Sequence, residues 1–198
     1  DHLKNIYNNL DNINFISGDI LKIDIEKILK NETVVFGNLP YNISSQILSK
    51  FLKFKIWPPK YKRLVFMFQK EVGEKIISDN KSKNYSRLGI LTKLRLSIKD
   101  KFLISRNCFF PKPKVDSMLI VFEPRKQQFS IKNIENLEKV THAFFSRKRK
   151  IVKKSFEHLF KDYEKIAKKL KINLNLRAQN LEEMQYYKIT EIYEKTKD

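Results

Sequence analysis

The chain has 198 residues, enough for one domain or a domain plus a small appendage, and its 41% hydrophobic content with 15 Phe supports a packed core rather than wholesale disorder. Lys+Arg number 41 against 22 Asp+Glu, a formal charge of +19 that points to a polyanionic partner such as nucleic acid, although lysine-favouring codon usage raises the same count. No apolar run approaches the roughly 18 residues of a membrane span, no signal-peptide pattern opens the chain, and the single Cys108 cannot close an internal disulfide, so no membrane role is expected and the setting reads as cytoplasmic.

Residues 13–17 read as a strand, followed by Gly18 and Asp19. Residues 33–37 (TVVFG) form a second strand, apolar enough to be buried on both faces. From Ser44 to about Phe54, apolar residues at Ile47, Leu48, Phe51 and Leu52 have helical spacing, with Ser44 and Ser45 as N-cap candidates and Trp57-Pro58-Pro59 as the breaker. A buried strand over 63–69 and helices over 70–78 and 86–96 follow, then strands over 102–106 and 117–122. This alternation predicts a mostly parallel, doubly wound α/β sheet. Composition turns polar over 123–128, read as a linker. Beyond it only helical patterns occur, at about 134–145, 148–160, 163–170 and 181–195. The expected division is therefore an α/β part over 1–124 and an all-α part over 125–198.

Asn38-Leu39-Pro40-Tyr41 lies directly after a strand and before a helix, at the end of a parallel strand where open α/β sheets place their ligands. The side-chain carbonyl of Asn38 and the backbone carbonyl of Leu39 can accept hydrogens from an exocyclic amine. Pro40 restricts Leu39 to extended geometry, and Tyr41 offers a flat face to an unstacked base. The same four residues also suit an ordinary strand-to-helix turn.

The surrounding blocks separate these readings. VFGNLPYNISS (35–45), FMFQKEV (66–72), SKNYSRLGIL (82–91), FFPKPKVDS (109–117), FFSRKRKIVKKSF (144–156) and RAQNL (177–181) occur in one order along nearly the whole chain. Together they resemble the ribosomal-RNA adenine dimethyltransferase family, specifically the bacterial enzymes acting on small-subunit rRNA. The resemblance implies a Rossmann-like class I methyltransferase sheet, N-terminally truncated, with a small C-terminal all-α domain. It also implies transfer of two methyl groups from S-adenosylmethionine, without a metal, to each of two adjacent adenosines near the 3′ end of small-subunit (16S) rRNA, with an immature 30S subunit as partner and a monomeric enzyme.

On that pattern Asn38 and Leu39 polarise the target amine, Pro40 aims the Leu39 carbonyl, Tyr41 packs on the flipped base and Phe109 stacks on its other face. Asn38 is also a cofactor-contacting position, and Asp19 matches the acid that accepts the amino group of the cofactor's adenine; a turn aspartate and a core Phe are the bland alternatives for Asp19 and Phe109. The family's Gly-rich turn and ribose-holding acid have no counterpart in this chain, so the 198 residues alone are expected to fold marginally and to be inactive. Ser146–Lys154 carries six cations in nine positions. Arg147, Lys148, Arg149, Lys150 and Lys153 there, with Lys112 and Lys114, are the RNA-binding candidates; if helical, the segment would turn Ile151, Val152 and Phe156 inward. Two alternatives stand beside this reading: a large-subunit rRNA methylase of the macrolide-resistance type, and a non-catalytic RNA-binding assembly factor.

Overall fold

The computed structural model describes residues 2–7, 10, 12–126, 128–147 and 149–197. Four strands, β1 (Thr33–Asn38), β2 (Tyr61–Gln69), β3 (Leu96–Ile104) and β4 (Ser117–Pro124), form one sheet in the order β1-β2-β4-β3. Short helices α1 (His2–Tyr7) and α2 (Ile25–Ile28) precede it, and α3 (Ser44–Leu52), α4 (Lys70–Ile77) and α5 (Arg87–Arg95) connect its strands.

The sheet is less parallel than the alternation of elements predicts. β1 and β2 run parallel, joined by the crossover through α3, whereas β4 pairs antiparallel with both β2 and β3. The physical reason lies in the connections. A parallel return needs a crossover, usually helical, and the 105–116 segment between β3 and β4 carries only a three-residue 3-10 turn, so β4 enters antiparallel.

Two strand expectations fail. Residues 13–17 join no ladder among the described residues, and Ile13, Phe15 and Ile16 are exposed. A strand needs a partner, and among the described residues no strand pairs on the far side of β1 from β2. Nor is β1 buried on both faces: its burial alternates, Val34 is 42% and Phe36 77% exposed, and Val35 on the other face packs against the core.

On that covered side, Ile47, Leu48, Phe51 and Leu52 of α3 are all buried, as their helical spacing requires. Phe51 sits 5.3 Å from Phe66 and 5.7 Å from Tyr61, ring centre to ring centre, tying the helix to β2. The α3 N-cap is Ile43 rather than a serine; Ser44 is buried and its hydroxyl donates instead to the Tyr41 carbonyl at 3.1 Å. α5 meets α4 so closely that a methyl group on Gly89 would lie 2.8 Å from the Lys75 carbonyl oxygen. Ser86 caps α5 and donates to that same oxygen.

After β4 the described chain is helical: α6 (Ile134–Phe145), α7 (Lys153–Leu159), α8 (Tyr163–Lys169) and α9 (Glu183–Lys195). The buried residues of these helices are continuous with those of the sheet. Tyr187 Oη donates to the Ile90 carbonyl at 2.9 Å, Lys93 pairs with Glu183 at 2.6 Å, and Lys53 pairs with Glu138 at 2.7 Å. The expected polar linker is equally tied down. Glu123 and Pro124 belong to β4, the Arg125 carbonyl accepts from Trp57 Nε1 at 2.8 Å, and the Arg125 amide donates to the Arg95 carbonyl at 2.7 Å. Glu194, 5% exposed, accepts from the amides of Lys132 and Asn133 and from Asn136 Nδ2, placing a carboxylate at the N-terminus of α6.

The basic segment is not one helix over 148–160. The Val152 and Lys153 amides donate to the Leu176 and Leu174 carbonyls, Ile151 bridges Arg177, and the helix starts only at Lys153. Val152 and Phe156 are buried as expected, but Ile151 is 40% exposed, because the extended bridge turns it outward.

Candidate active site

The C-terminal end of β1 is the end of the sheet where the chemistry-bearing loops gather. Asn38 pairs with Met67 of β2, Gln69 at the end of β2 faces Ser117, and Ser117 faces Ile104 at the end of β3. The Asn38–Tyr41 loop and the 105–116 loop therefore leave the sheet from one edge.

The first of these loops is held from below. A methyl group on Gly37 would lie 2.6 Å from Leu39 Cδ2 and 2.9 Å from Phe66 Cδ1, so only glycine lets the turn sit this close to the core. Leu39 is buried and anchors it, while Asn38 and Pro40 are exposed. The Ile43 amide closes the turn onto the Pro40 carbonyl at 3.1 Å. The Asn38 side-chain amide has no hydrogen bond among the described residues, which leaves its carbonyl and amino group for a ligand. Tyr41 is half-buried, and its hydroxyl lies 2.7 Å from Ser117 Oγ; Ser117 has no exposed surface. The ring is thereby fixed at its far end.

Phe109 is half-buried at the end of the 3-10 turn Arg106–Cys108, and its neighbour Phe110 is fully exposed. Lys112 and Lys114 are exposed in the same loop. Beside it, a cavity of about 380 Å3 is lined by Gln69, Lys70, Glu71, Glu74, Arg106 and Lys114 to Asp116. The loop is stiffened where Arg106 donates its amide to Asp116 Oδ1 at 3.0 Å and its guanidinium to the Lys114 carbonyl at 3.2 Å.

Asp19 makes its contacts within its own turn. Its Oδ1 accepts the Leu21 amide at 2.9 Å and its Oδ2 lies 4.0 Å from Lys22 Nζ, the hydrogen bonding of a turn aspartate. Its side chain is 47% exposed, which leaves acceptor capacity on Oδ2. Lys50 Nζ reaches the Leu21 carbonyl at 2.7 Å and holds this segment against α3. No hydrogen bond or ion pair joins Asp19 to Asn38 among the described residues.

A family profile for "Ribosomal RNA adenine dimethylase" matches residues 1–195. The chain belongs to that family. Among curated relatives it is similar to Ribosomal RNA small subunit methyltransferase A of Pelagibacter ubique (strain HTCC1062), 44% identical over 92% of this chain and 70% of that protein. The protein of the same name from Malacoplasma penetrans (strain HF-2) is 36% identical over 96% of this chain and 68% of its own length. For that from Rhizobium etli (strain CIAT 652) the figures are 40% identity, 73% and 52%. The chain thus spans between about half and 70% of the length of these relatives.

Among solved structures, a dimethyladenosine transferase from Plasmodium falciparum superposes with a TM-score of 0.74 at 25% identity, over 99% of this chain and 78% of the other. The 23S rRNA methyltransferase ErmE superposes with a TM-score of 0.62 at 18% identity, over 98% of this chain and 77% of the other, a likeness of fold. The class I methyltransferase fold with a helical C-terminal part follows from these matches.

Within this dimethylase fold the basic candidates are dispersed. Arg147, Arg149 and Lys150 are exposed in the turn before α7, Lys153 is half-buried with its ammonium 5.9 Å from the Tyr163 ring, and Lys148 lies outside the described residues. Ser117 is the positioning residue that sequence reading passed over. It stands in a block that carries the family resemblance, yet its contact with Tyr41 spans 76 positions and leaves no local signal.

Proposed function

We propose that this chain carries the reaction loop and the RNA-binding helices of an S-adenosylmethionine-dependent rRNA adenine dimethyltransferase, acting on two adjacent adenosines near the 3′ end of 16S rRNA in an immature 30S subunit. The single observation that carries this reading is the exposed, unengaged Asn38 amide at the tip of β1, next to a Tyr41 ring anchored through Ser117. Membership of the rRNA adenine dimethylase family and likeness to proteins named for small-subunit rRNA methylation support it. We assign methyl transfer to residues 1–124 and RNA binding to 125–198, in a monomeric enzyme of the cytoplasm.

The residues present fit part of a cofactor site: Asp19 keeps an acceptor oxygen exposed for an adenine amino group, and the Asn38 amide is open at the strand tip. When bound, S-adenosylmethionine supplies an electrophilic methyl group with a neutral thioether as its leaving group. The chain's own part is alignment and proximity. The target adenine, drawn out of its stack, lies against Tyr41, with Phe109 on its other face. The two hydrogens of its amine point to the Asn38 side-chain carbonyl and the Leu39 backbone carbonyl, which favours a pyramidal nitrogen and frees its lone pair. Once methylated, the amine would be an acidic ammonium and would lose one proton to water. No strong general base is required.

The test uses the full-length protein. Asn38→Ala should abolish methyl incorporation into immature small subunits while leaving RNA affinity within a few fold. Normal turnover by that variant would overturn the assignment.

A further inference from the structure

Away from the reaction loop, α6 and α7 enclose a cleft of about 360 Å3, at the small end of the size range of ligand pockets. Its wall carries Lys139, His142, Arg147, Lys154 and His158, with the Ser146 and Ser155 hydroxyls and no carboxylate among the described residues. In a chain with 22 acidic residues, five cationic or imidazole groups around one concavity without a lining acid make a local anion field. Glu157 reaches Lys154 Nζ at 3.0 Å from the rim, where the lysine is 63% exposed; such an exposed pair is weak and yields to a better anion.

One side chain is set for the task by a neighbour in the sheet part. The Arg87 guanidinium lies 3.3 Å from His142 Nδ1 and donates to the Glu138 carbonyl at 3.2 Å. A guanidinium can only donate, so Nδ1 must accept, and the ring proton of the neutral imidazole resides on Nε2. Arg87 thus presents His142 as a hydrogen-bond donor without requiring it to be charged. The hydroxyls of Ser146 and Ser155 both donate their hydrogens to the Ala143 carbonyl, so the donors left to the cleft are its cations and the His142 N–H.

The cleft is also separate from the reaction loop: neither residues 38–41 nor Phe109 lines it. Its charge and its donors suit one ligand class.

We infer that the α6–α7 cleft binds a backbone phosphodiester of the RNA substrate at a site separate from the target nucleotide, with Lys139, His142, Arg147 and Lys154 as its ligands. This rests on the reading that the helical part binds RNA, but not on methyl transfer, and its test reads binding alone. The probe is a fluorescein-labelled oligoadenylate of about 20 nucleotides, titrated into the full-length protein between about 50 and 200 mM salt, with inorganic tripolyphosphate as competitor. Lys139→Ala with Lys154→Ala should weaken binding about tenfold. It should also lower the slope of log affinity against log salt by about 0.7 for each phosphate left unneutralised. His142→Ala should weaken binding, and His142→Gln, which keeps an N–H donor near the Nε2 position, should restore it; a merely structural histidine would not be rescued in this way. Wild-type affinity and slope in the double variant would overturn the inference and leave the RNA-binding reading intact, whereas failure of the wild-type protein to bind the oligonucleotide would sink that reading itself. Tripolyphosphate bound as tightly as the RNA, and released by the same substitutions, would instead identify a site for free polyphosphate and overturn the assignment to RNA.

Discussion

Replacing Ser117 with alanine removes a hydroxyl from a residue with no exposed surface and takes away the partner of Tyr41 Oη. The 2.7 Å separation is at the mode for O–H···O bonds, and such a bond contributes about 0.5–1.5 kcal/mol net. Tyr41 is only half-buried, so water can reach its freed hydroxyl, and a loss near the middle of that range, about 1 kcal/mol, is expected. Tyr41→Phe breaks the same bond from the other side. In urea unfolding of the full-length protein, each single variant should lose about 1 kcal/mol, and the double variant no more than either single one, because both remove one interaction. If the bond also aligns the ring for the flipped base, single-turnover methyl transfer should fall by up to about tenfold in each variant, equivalent to about 1.4 kcal/mol of barrier, again without a further drop in the double. Additive losses in the double-mutant cycle would refute the reasoning, since the two hydroxyls would then act independently.

Two further outcomes concern carboxylates. Glu194→Ala leaves the Lys132 and Asn133 amides and Asn136 Nδ2 without this acceptor at the start of α6, and should cost on the order of 2–3 kcal/mol in thermal or urea unfolding; wild-type stability would show that water replaces the carboxylate at no cost. Glu123 on β4 is held below the usual carboxylate range by its hydrogen bond from Arg63 and by Lys99. A depressed folded pKa means that its stabilising contribution is complete above the unfolded value of about 4.5 and lost as pH falls through the lower folded value. Glu123→Gln should therefore be less stable than the parent near neutral pH, with the gap closing on acidification below pH ~4; a gap that widens there would reverse the sign.

Much of the architecture is written locally. The apolar spacing of Ile47, Leu48, Phe51 and Leu52 marks α3, that of the segment before Phe145 marks α6, and the Asn38–Tyr41 loop stands out because a strand, a Pro and a helix start follow in immediate succession. Local readings failed where the answer belonged to a distant partner. Residues 13–17 have strand composition but no neighbour to pair with among the described residues, β1 carries strand residues but is covered on one side, and the direction of β4 was set by its connection to β3. The segment after Arg147 has helical composition, yet the Leu174 and Leu176 carbonyls take its amides first.

The candidate site divides in the same way. Sequence by itself determined which residues could do chemistry, since Asn38, Tyr41, Phe109 and the cations of 147–153 are legible as residue types in ordered motifs. Only the tertiary structure decided that Ser117 grips Tyr41 across 76 positions, that Arg87 sets the proton on His142 across 55, and that five basic groups on and between two helices share one cleft. Periodicity reports interactions within a few residues along the chain, whereas a hydrogen bond between distant segments exists only once the core has brought them within about 3 Å.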